Sequence, residues 1–388
     1  MLNSQTQSTM TFEDLDLHPQ ILKNISAQGY ESPTLIQEQA VPLIDGRRDV
    51  LGIAKTGSGK TASFVWPILD YRLTKRPTPP SRHPKVLVLV PTRELAVQVG
   101  EVFTTFAVNL PQDFKVMAVY GGVSINPQMK NLYGVDILVA TPGRLLDLKR
   151  SSAVEISMVE TLVLDEADKM LNMGFKSEME EIFKLLPKKR QNLLFSATLS
   201  EELEGIKKLL LVNPAIIKVG QTETEGEEQI NLSGYFVSNE KKGPLLRYLI
   251  EEHNMKQLLI FTSSSKTADR VAYKLVKNGV DAKSIHGKKS QGARQSALNA
   301  FKAGNLQILV STDLISRGID IDALPYVINY ELPRSPKDFV HRVGRTGRAE
   351  SKGMAITFVT RDETHHFKVI LKKMKRYIDM VDSETMIF

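Results

Sequence analysis

Short apolar runs recur along the first half of the chain: KVLVLVPT, FKVMAVYGG, VDILVATPG, TLVLDEAD and NLLFSAT. They are rich in Val and Leu and do not alternate with polar residues, so each reads as a strand buried on both faces. The longer segments between them, such as RELAVQVGEVFTTFAV and KSEMEEIFKLL, have helical spacing. Strand and helix in turn predict βαβ units around a parallel sheet. The second half repeats the rhythm with QLLIFTSSS, DAKSIHG, LQILVSTD, YVINYELP and GMAITFVT. The pattern therefore predicts an α/β chain in which one architecture appears twice.

Between the halves, VGQTETEGEEQINLSG is polar and nearly free of large apolar residues, and reads as a linker with the lead-in to the next domain. The reading places domain one at 1–217, the linker at 218–228 and domain two at 229–388. The proline-rich stretch RPTPPSRHP is a loop within domain one, and FKVILKKMKRYIDM predicts a helix packed on domain two.

Nearly every predicted strand ends in a cluster of small, polar or charged residues: PTRE, GG, TPGR, DEAD and SAT, then SSS, HG and STD. In open α/β sheets ligands bind outside the carboxyl ends of the strands. Two such sheets facing each other would line a cleft with these clusters.

Composition narrows the partner. The chain has 388 residues, 42% hydrophobic and 24% charged, as in a soluble globular protein of two or three domains. It has no cysteine, no apolar run of membrane-spanning length and no signal-peptide pattern at its start, so a cytoplasmic protein with no membrane partner is expected. A formal charge of +7 favours a polyanionic partner without identifying it.

The stretch AKTGSGKT follows strand-like DVLGIA and precedes a helical segment, the setting of a phosphate-binding loop. Thr56, Gly57, Ser58 and Gly59 would turn backbone N–H groups toward phosphate oxygens. Lys60 would reach the β- and γ-phosphates, and Thr61 would take a ligand place on Mg²⁺. LVLDEAD supplies the second metal ligand, Asp165, partly through water. Glu166 is placed to orient or deprotonate an attacking water, which points to hydrolysis. Asp168 falls on the same face as Asp165 in any helical turn. No Asn/Thr-Lys-x-Asp guanine reader is present, so ATP is the expected nucleotide. His286 and His341 read as loop and interface hydrogen-bonders rather than bases. HRVGRTGR, 341–348, spaces Arg342, Arg345 and Arg348 three apart: a solvated face, a nucleic-acid patch, or arginines aimed at one phosphoryl group.

These motifs together resemble the DEAD-box ATP-dependent RNA helicases of helicase superfamily 2. The match runs from about Phe12 to Arg348: F-x16-GYESPTLIQ, AKTGSGKT, PTRELA, GG, TPGR, DEAD, SAT, IFTSSS, STDLISRGID and HRVGRTGR stand in order. The resemblance implies two tandem RecA-like domains with a nucleotide cleft between them. It implies that Gln37 reads adenine, that Phe12 and Tyr30 lie near the base, and that Asp320 contacts the nucleotide from domain two. Ser196 and Thr198, with Asp168, His341 and Arg342, would couple nucleotide state to unwinding, and Arg345 and Arg348 would be arginine fingers.

RNA contacts are implied at Pro91, Thr92, Arg93, Gly121, Gly122, Thr141, Gly143, Arg144, Gly287, Thr312 and Asp313. The implied activity is closure on ATP and RNA, local opening of short duplexes, and hydrolysis that releases the RNA. A monomer is expected, with any RNA specificity supplied by protein partners. An ATP-gated RNA clamp would carry the same motifs. A DNA translocase and a P-loop ATPase without nucleic acid are the other readings.

Overall fold

A computed structural model describes residues 10–219, 230–313, 324–347 and 353–386, apart from residues 56, 76, 78, 375, 384 and 385. Thr56, Asp320 and Arg348, all expected at the nucleotide, lie outside the described residues. The chain divides into two compact units, Met1–Gln221 and Thr222–Phe388.

The first unit is built on a parallel sheet of β1 (Val50–Ala54), β2 (Val86–Leu89), β3 (Val116–Val119), β4 (Ile137–Ala140), β5 (Thr161–Leu164), β6 (Gln191–Ser196) and β7 (Ala215–Val219). The order across it is β3-β4-β2-β5-β6-β1-β7. Successive side chains of a strand point to opposite faces, so a sheet covered on both sides needs apolar residues at every position. In β1, Val50 and Ala54 enter a core with Phe64, Trp66 and Phe103. Leu51 and Ile53 enter a second core, with Leu145, Met170 and Ile206, across the sheet.

The second unit holds β8 (Ile230–Phe236), β9 (Leu258–Thr262), β10 (Ala282–Ile285), β11 (Ile308–Thr312), β12 (Tyr326–Asn329), β13 (Gly353–Val359) and β14 (Asp379–Asp382). Its order is β10-β11-β9-β12-β13-β8-β14, again parallel throughout. Counted from each unit's own first strand, the two orders are identical. The repeated rhythm of the sequence is thus a repeated topology.

Three strands escape the sequence pattern. β7 runs to Val219, and β8 begins at Ile230 inside the lead-in INLSG, too polar to read as a strand. The helix expected through FKVILKKMKRYIDM ends at Met374, and Asp379–Asp382 pairs with Ser233–Phe236 as edge strand β14. An edge strand of four residues, alternately exposed and half-buried, leaves too short a period to separate from a helix.

Candidate functional site

The turn after β1 is held from the side by the helix Leu35–Asp45. Thr34 caps that helix, and Gln37 returns the capping box by accepting from the Thr34 N–H (2.8 Å). Both residues also grip the glycine-rich turn. Thr34 Oγ1 donates to the Ser58 carbonyl (2.9 Å), and Gln37 Nε2 donates to the Gly59 carbonyl (3.3 Å). Gly59 has φ +90°, and a Cβ there would stand 2.5 Å from Gln37 Nε2. Only glycine fits that conformation and that gap. The T-x-x-Q spacing of a capping box was the available signal for Thr34, which motif reasoning passed over. Phe12 and Tyr30 form an aromatic nest with Trp66, which lies 5.6 Å from each ring centroid, and Tyr30 keeps one side exposed.

Lys60 opens the helix Lys60–Leu73 and folds its ammonium back onto the carbonyls of Ala54 and Lys55. Burial pulls its pKa down, while the charges of Asp165, Glu166 and Asp168 oppose that shift. Thr61, one residue on, is half-buried.

Asp165 ends β5 at 3% exposure. Burial, then repulsion by Glu166, pushes its carboxyl up to about 6, with Lys60 pulling the other way. A buried carboxylate so disposed gains from a cation beside it. Among the described residues no three His, Cys, Asp or Glu cluster to hold a metal, so a cation at Thr61 and Asp165 would need phosphate oxygens to complete its shell. Glu166 has left-handed backbone (φ 53°). Lys169 donates to its Oε1 at 2.6 Å, whereas its buried Oε2 has no hydrogen-bond partner among the described residues. That orphaned oxygen suits a water or hydroxyl donor. Lys169 was also missed, although a base three residues after an acid at a helix start is a readable pairing.

The neighbouring strand β6 ends in SAT. Ser196 Oγ donates to the Thr198 carbonyl (2.8 Å), and Thr198 Oγ1 and N–H both donate to Asp168 Oδ2 (2.8 and 3.2 Å). The strand ends of β1, β6 and β5, adjacent in the sheet, thus form one connected patch.

The ends of β2, β4 and β3 form a second patch. Thr92 caps the helix Arg93–Ala107, its hydroxyl accepting from the Leu95 N–H (3.3 Å). Pro91 is buried beside it, and Arg93 lies across the β3 turn. A Cβ on Gly122 (φ +78°) would stand 2.8 Å from the Arg93 guanidinium, so glycine permits that approach. Arg144, from the helix Pro142–Arg150 that Thr141 begins, donates to the Val123 carbonyl (2.7 Å). PTRE, GG and TPGR are therefore brought together. Gly121 and Gly143 stand beside open space. Backbone amides, hydroxyls and guanidinium groups gathered at these strand ends suit phosphate oxygens and carry no base information.

In the second unit the equivalent strands β9, β11 and β10 end in Ser263–Ser264, in Thr312–Asp313 and in His286–Gly287. His286 is buried against Asp269 (3.0 Å), which also accepts from Ser284 (2.6 Å) and Lys289 (3.0 Å). Glu331 accepts from Ser263 Oγ (2.6 Å) and Thr267 Oγ1 (3.2 Å).

Arg342, expected as a coupling contact, is held by partners within the second unit. It is 1% exposed and forks onto Asp313 with Nε and Nη2 (2.5 and 2.7 Å). Its Nη1 donates to Asn329 Oδ1 (3.2 Å) and to the Glu331 carbonyl (2.7 Å). A guanidinium so enclosed positions Asp313 and the end of β12 within its own unit. His341, half-buried, is one residue before it, and Gly344 ends the helix Pro336–Val343. Arg345 is buried at the turn, where its carbonyl accepts from the Leu324 N–H (3.0 Å).

With this geometry in place, comparison with known proteins is direct. Residues 34–206 match the family model for the DEAD/DEAH box helicase, and residues 240–350 match the helicase conserved C-terminal domain. The ATP-dependent RNA helicase dbp2 of Aspergillus clavatus is 39% identical over 376 residues, spanning 95% of this chain and 68% of the relative. The DEAD-box ATP-dependent RNA helicase CshA of Bacillus subtilis is 36% identical over 381 residues, 97% of this chain and 75% of the relative. Among solved structures, S. cerevisiae Dbp5 bound to RNA and ADP BeF3 superposes with a TM-score of 0.80 at 29% identity, covering 96% of each chain. Two parallel sheets of identical order, a glycine-gripped phosphate loop beside DEAD and SAT, and these matches place the chain in the DEAD-box helicase family.

Proposed function

We propose that this chain is an ATP-dependent RNA helicase that grips RNA through its backbone and separates short duplexes locally. The observation that carries the reading is the division of one sheet edge. The ends of β1, β6 and β5 form a patch suited to a nucleoside triphosphate, and those of β2, β4 and β3 form one suited to a phosphodiester backbone. The names of the relatives and the RNA in the Dbp5 structure support the choice of RNA.

In this reading Gln37, with Phe12 and Tyr30 near it, selects adenine, and Gly57 to Thr61 hold the phosphates. Thr61 and Asp165 hold Mg²⁺, which when bound neutralises charge developing between the β- and γ-phosphates. Glu166 takes a proton from the attacking water through its unpartnered oxygen while Lys169 holds the other oxygen. The two domains, 1–217 and 229–388 joined by 218–228, close on ATP and RNA. Closure brings Arg345, and with it Arg348 and Asp320, to the nucleotide. The Asp168–Thr198 link carries the nucleotide state to the polymer-binding loops.

The test is the ATPase rate without polymer, with RNA and with single-stranded DNA, across a salt series. RNA-selective stimulation that fades with salt is expected. Equal stimulation by DNA would favour a translocase, and none at all would sink the polymer reading. A duplex-separation assay then distinguishes a helicase from a clamp, which would hold RNA long and separate little.

A further inference from the structure

The first unit carries a cavity of about 940 Å³ at the amino ends of β6, β1 and β7, the end opposite the loops described above. Five cations line it: Arg47, which donates to Thr161, Gln191 and the Glu160 carbonyl, and Arg48, Lys184, Lys188 and Arg190. None of the last four forms an ion pair with a described residue.

Two carboxylates share the wall, so cations outnumber them. Asp49 is fixed in place by the N–H groups of Asn192 (2.7 Å) and Val212 (2.8 Å) and by Asn192 Nδ2 (3.2 Å), and Glu180 is the other. Two polar atoms of the wall, Asn192 Oδ1 and Arg190 Nε, are buried without hydrogen-bond partners, although Asn192 as a whole is only 4% exposed.

The remaining wall is apolar. Phe183, Leu186 and Leu210 form its floor, while Leu209 (61%) and Val212 (73%) stand out at the rim. We infer that this cavity docks an acidic, leucine-rich peptide segment of a partner protein. Carboxylates would pair with Arg48, Lys184, Lys188 and Arg190, and apolar side chains would cover Leu209 and Val212. RNA fits less well, because single-stranded nucleic acid is held by exposed aromatic faces, and the one ring in this wall, Phe183, is half-buried in its floor. The inference is independent of the helicase reading, since the cavity lies at the far end of the strands.

The test uses the full chain and a fluorescein-labelled peptide of four Asp-Leu-Glu repeats, followed by anisotropy. A peptide of four Lys-Leu-Gln repeats and a twelve-nucleotide uridine RNA serve as the other probes. The acidic peptide should bind the wild type and lose tenfold or more in affinity in Lys184→Glu/Lys188→Glu and, separately, in Val212→Asp. Affinity for the RNA and ATP turnover should stay within twofold in both variants. Absence of acidic-peptide binding, equal binding by all three proteins, or equal binding of the basic peptide would overturn the inference. Loss of RNA affinity in the charge-reversal variant would instead make the cavity an RNA contact and equally overturn it.

Discussion

Asp168 Oδ2 accepts two hydrogen bonds from Thr198, one from its N–H and one from its Oγ1, across a separation of 30 residues. This contact ties the helix that follows DEAD to the loop that follows SAT. Thr198→Val keeps the size of the side chain and the backbone bond while deleting the hydroxyl bond. RNA-stimulated ATP turnover should survive, and duplex separation should fall by roughly 5- to 150-fold, the usual range of a coupling energy. A parallel loss of both activities would show that the hydroxyl serves catalysis rather than communication.

Glu166 differs from its neighbours in having one oxygen committed to Lys169 and one unpartnered. In Glu166→Gln the amide cannot take the water's proton, so hydrolysis should fall by about 10²–10⁴-fold. Binding of ATP and RNA should persist, and the RNA complex should outlive that of the wild type. Single-turnover hydrolysis and RNA dissociation rates read the two effects separately.

Two arginines three residues apart should fail in different ways. Arg342→Ala leaves Asp313 without its fork in a mostly buried site, costing about 3 kcal/mol, or roughly 6–12 °C in the melting of the second unit. Arg345→Ala should melt near the wild-type temperature but lose about 10³-fold in hydrolysis with RNA affinity retained. Thermal melts beside turnover rates would expose an exchange of these roles.

Asp269 gives the second unit a pH signature. Burial pushes its carboxyl up, but hydrogen bonds from Ser284, His286 and Lys289 outweigh that and hold it well below the usual carboxylate range. The folded state therefore binds its proton less readily than the unfolded chain. The stabilisation is complete above the unfolded value of about 3.9 and is lost as pH falls toward the lower folded value. Asp269→Asn should melt lower than the wild type at pH 7, and the gap should narrow below pH about 4. A gap constant with pH would mean the carboxylate is not held by these donors.

Much of this was legible in the sequence because both sheets are covered on both faces. Central strands such as VLVL and ILVA are apolar at every position, and their polar ends announce where chemistry gathers. What the sequence hid lies where that rule relaxes. INLSGYF and DMVD pair at one edge of the second sheet, half exposed and without an apolar run. The phosphate loop was plain from its glycines, whereas its brace by Thr34 and Gln37 spans more than 20 residues and follows only from the fold. The partners of Arg342 were hidden for the same reason. Spacing shows that three arginines share a stretch, but only the packing of Asp313, Asn329 and Glu331 around one of them shows that it faces inward.

The border inside the first sheet, where β2 lies against β5, has a consequence for descent. Leu89 accepts from the Asp165 N–H (3.0 Å), so the last residues of these two strands are locked together. Away from that seam, β3 and β4 stand at one margin of the sheet, apart from the residues proposed to handle phosphate cleavage. On that reading a lineage could rewrite the loops there, and with them its polymer preference, while inheriting its ATP chemistry intact. The seam itself has no such latitude, because a shift of either strand would misplace the ends of both.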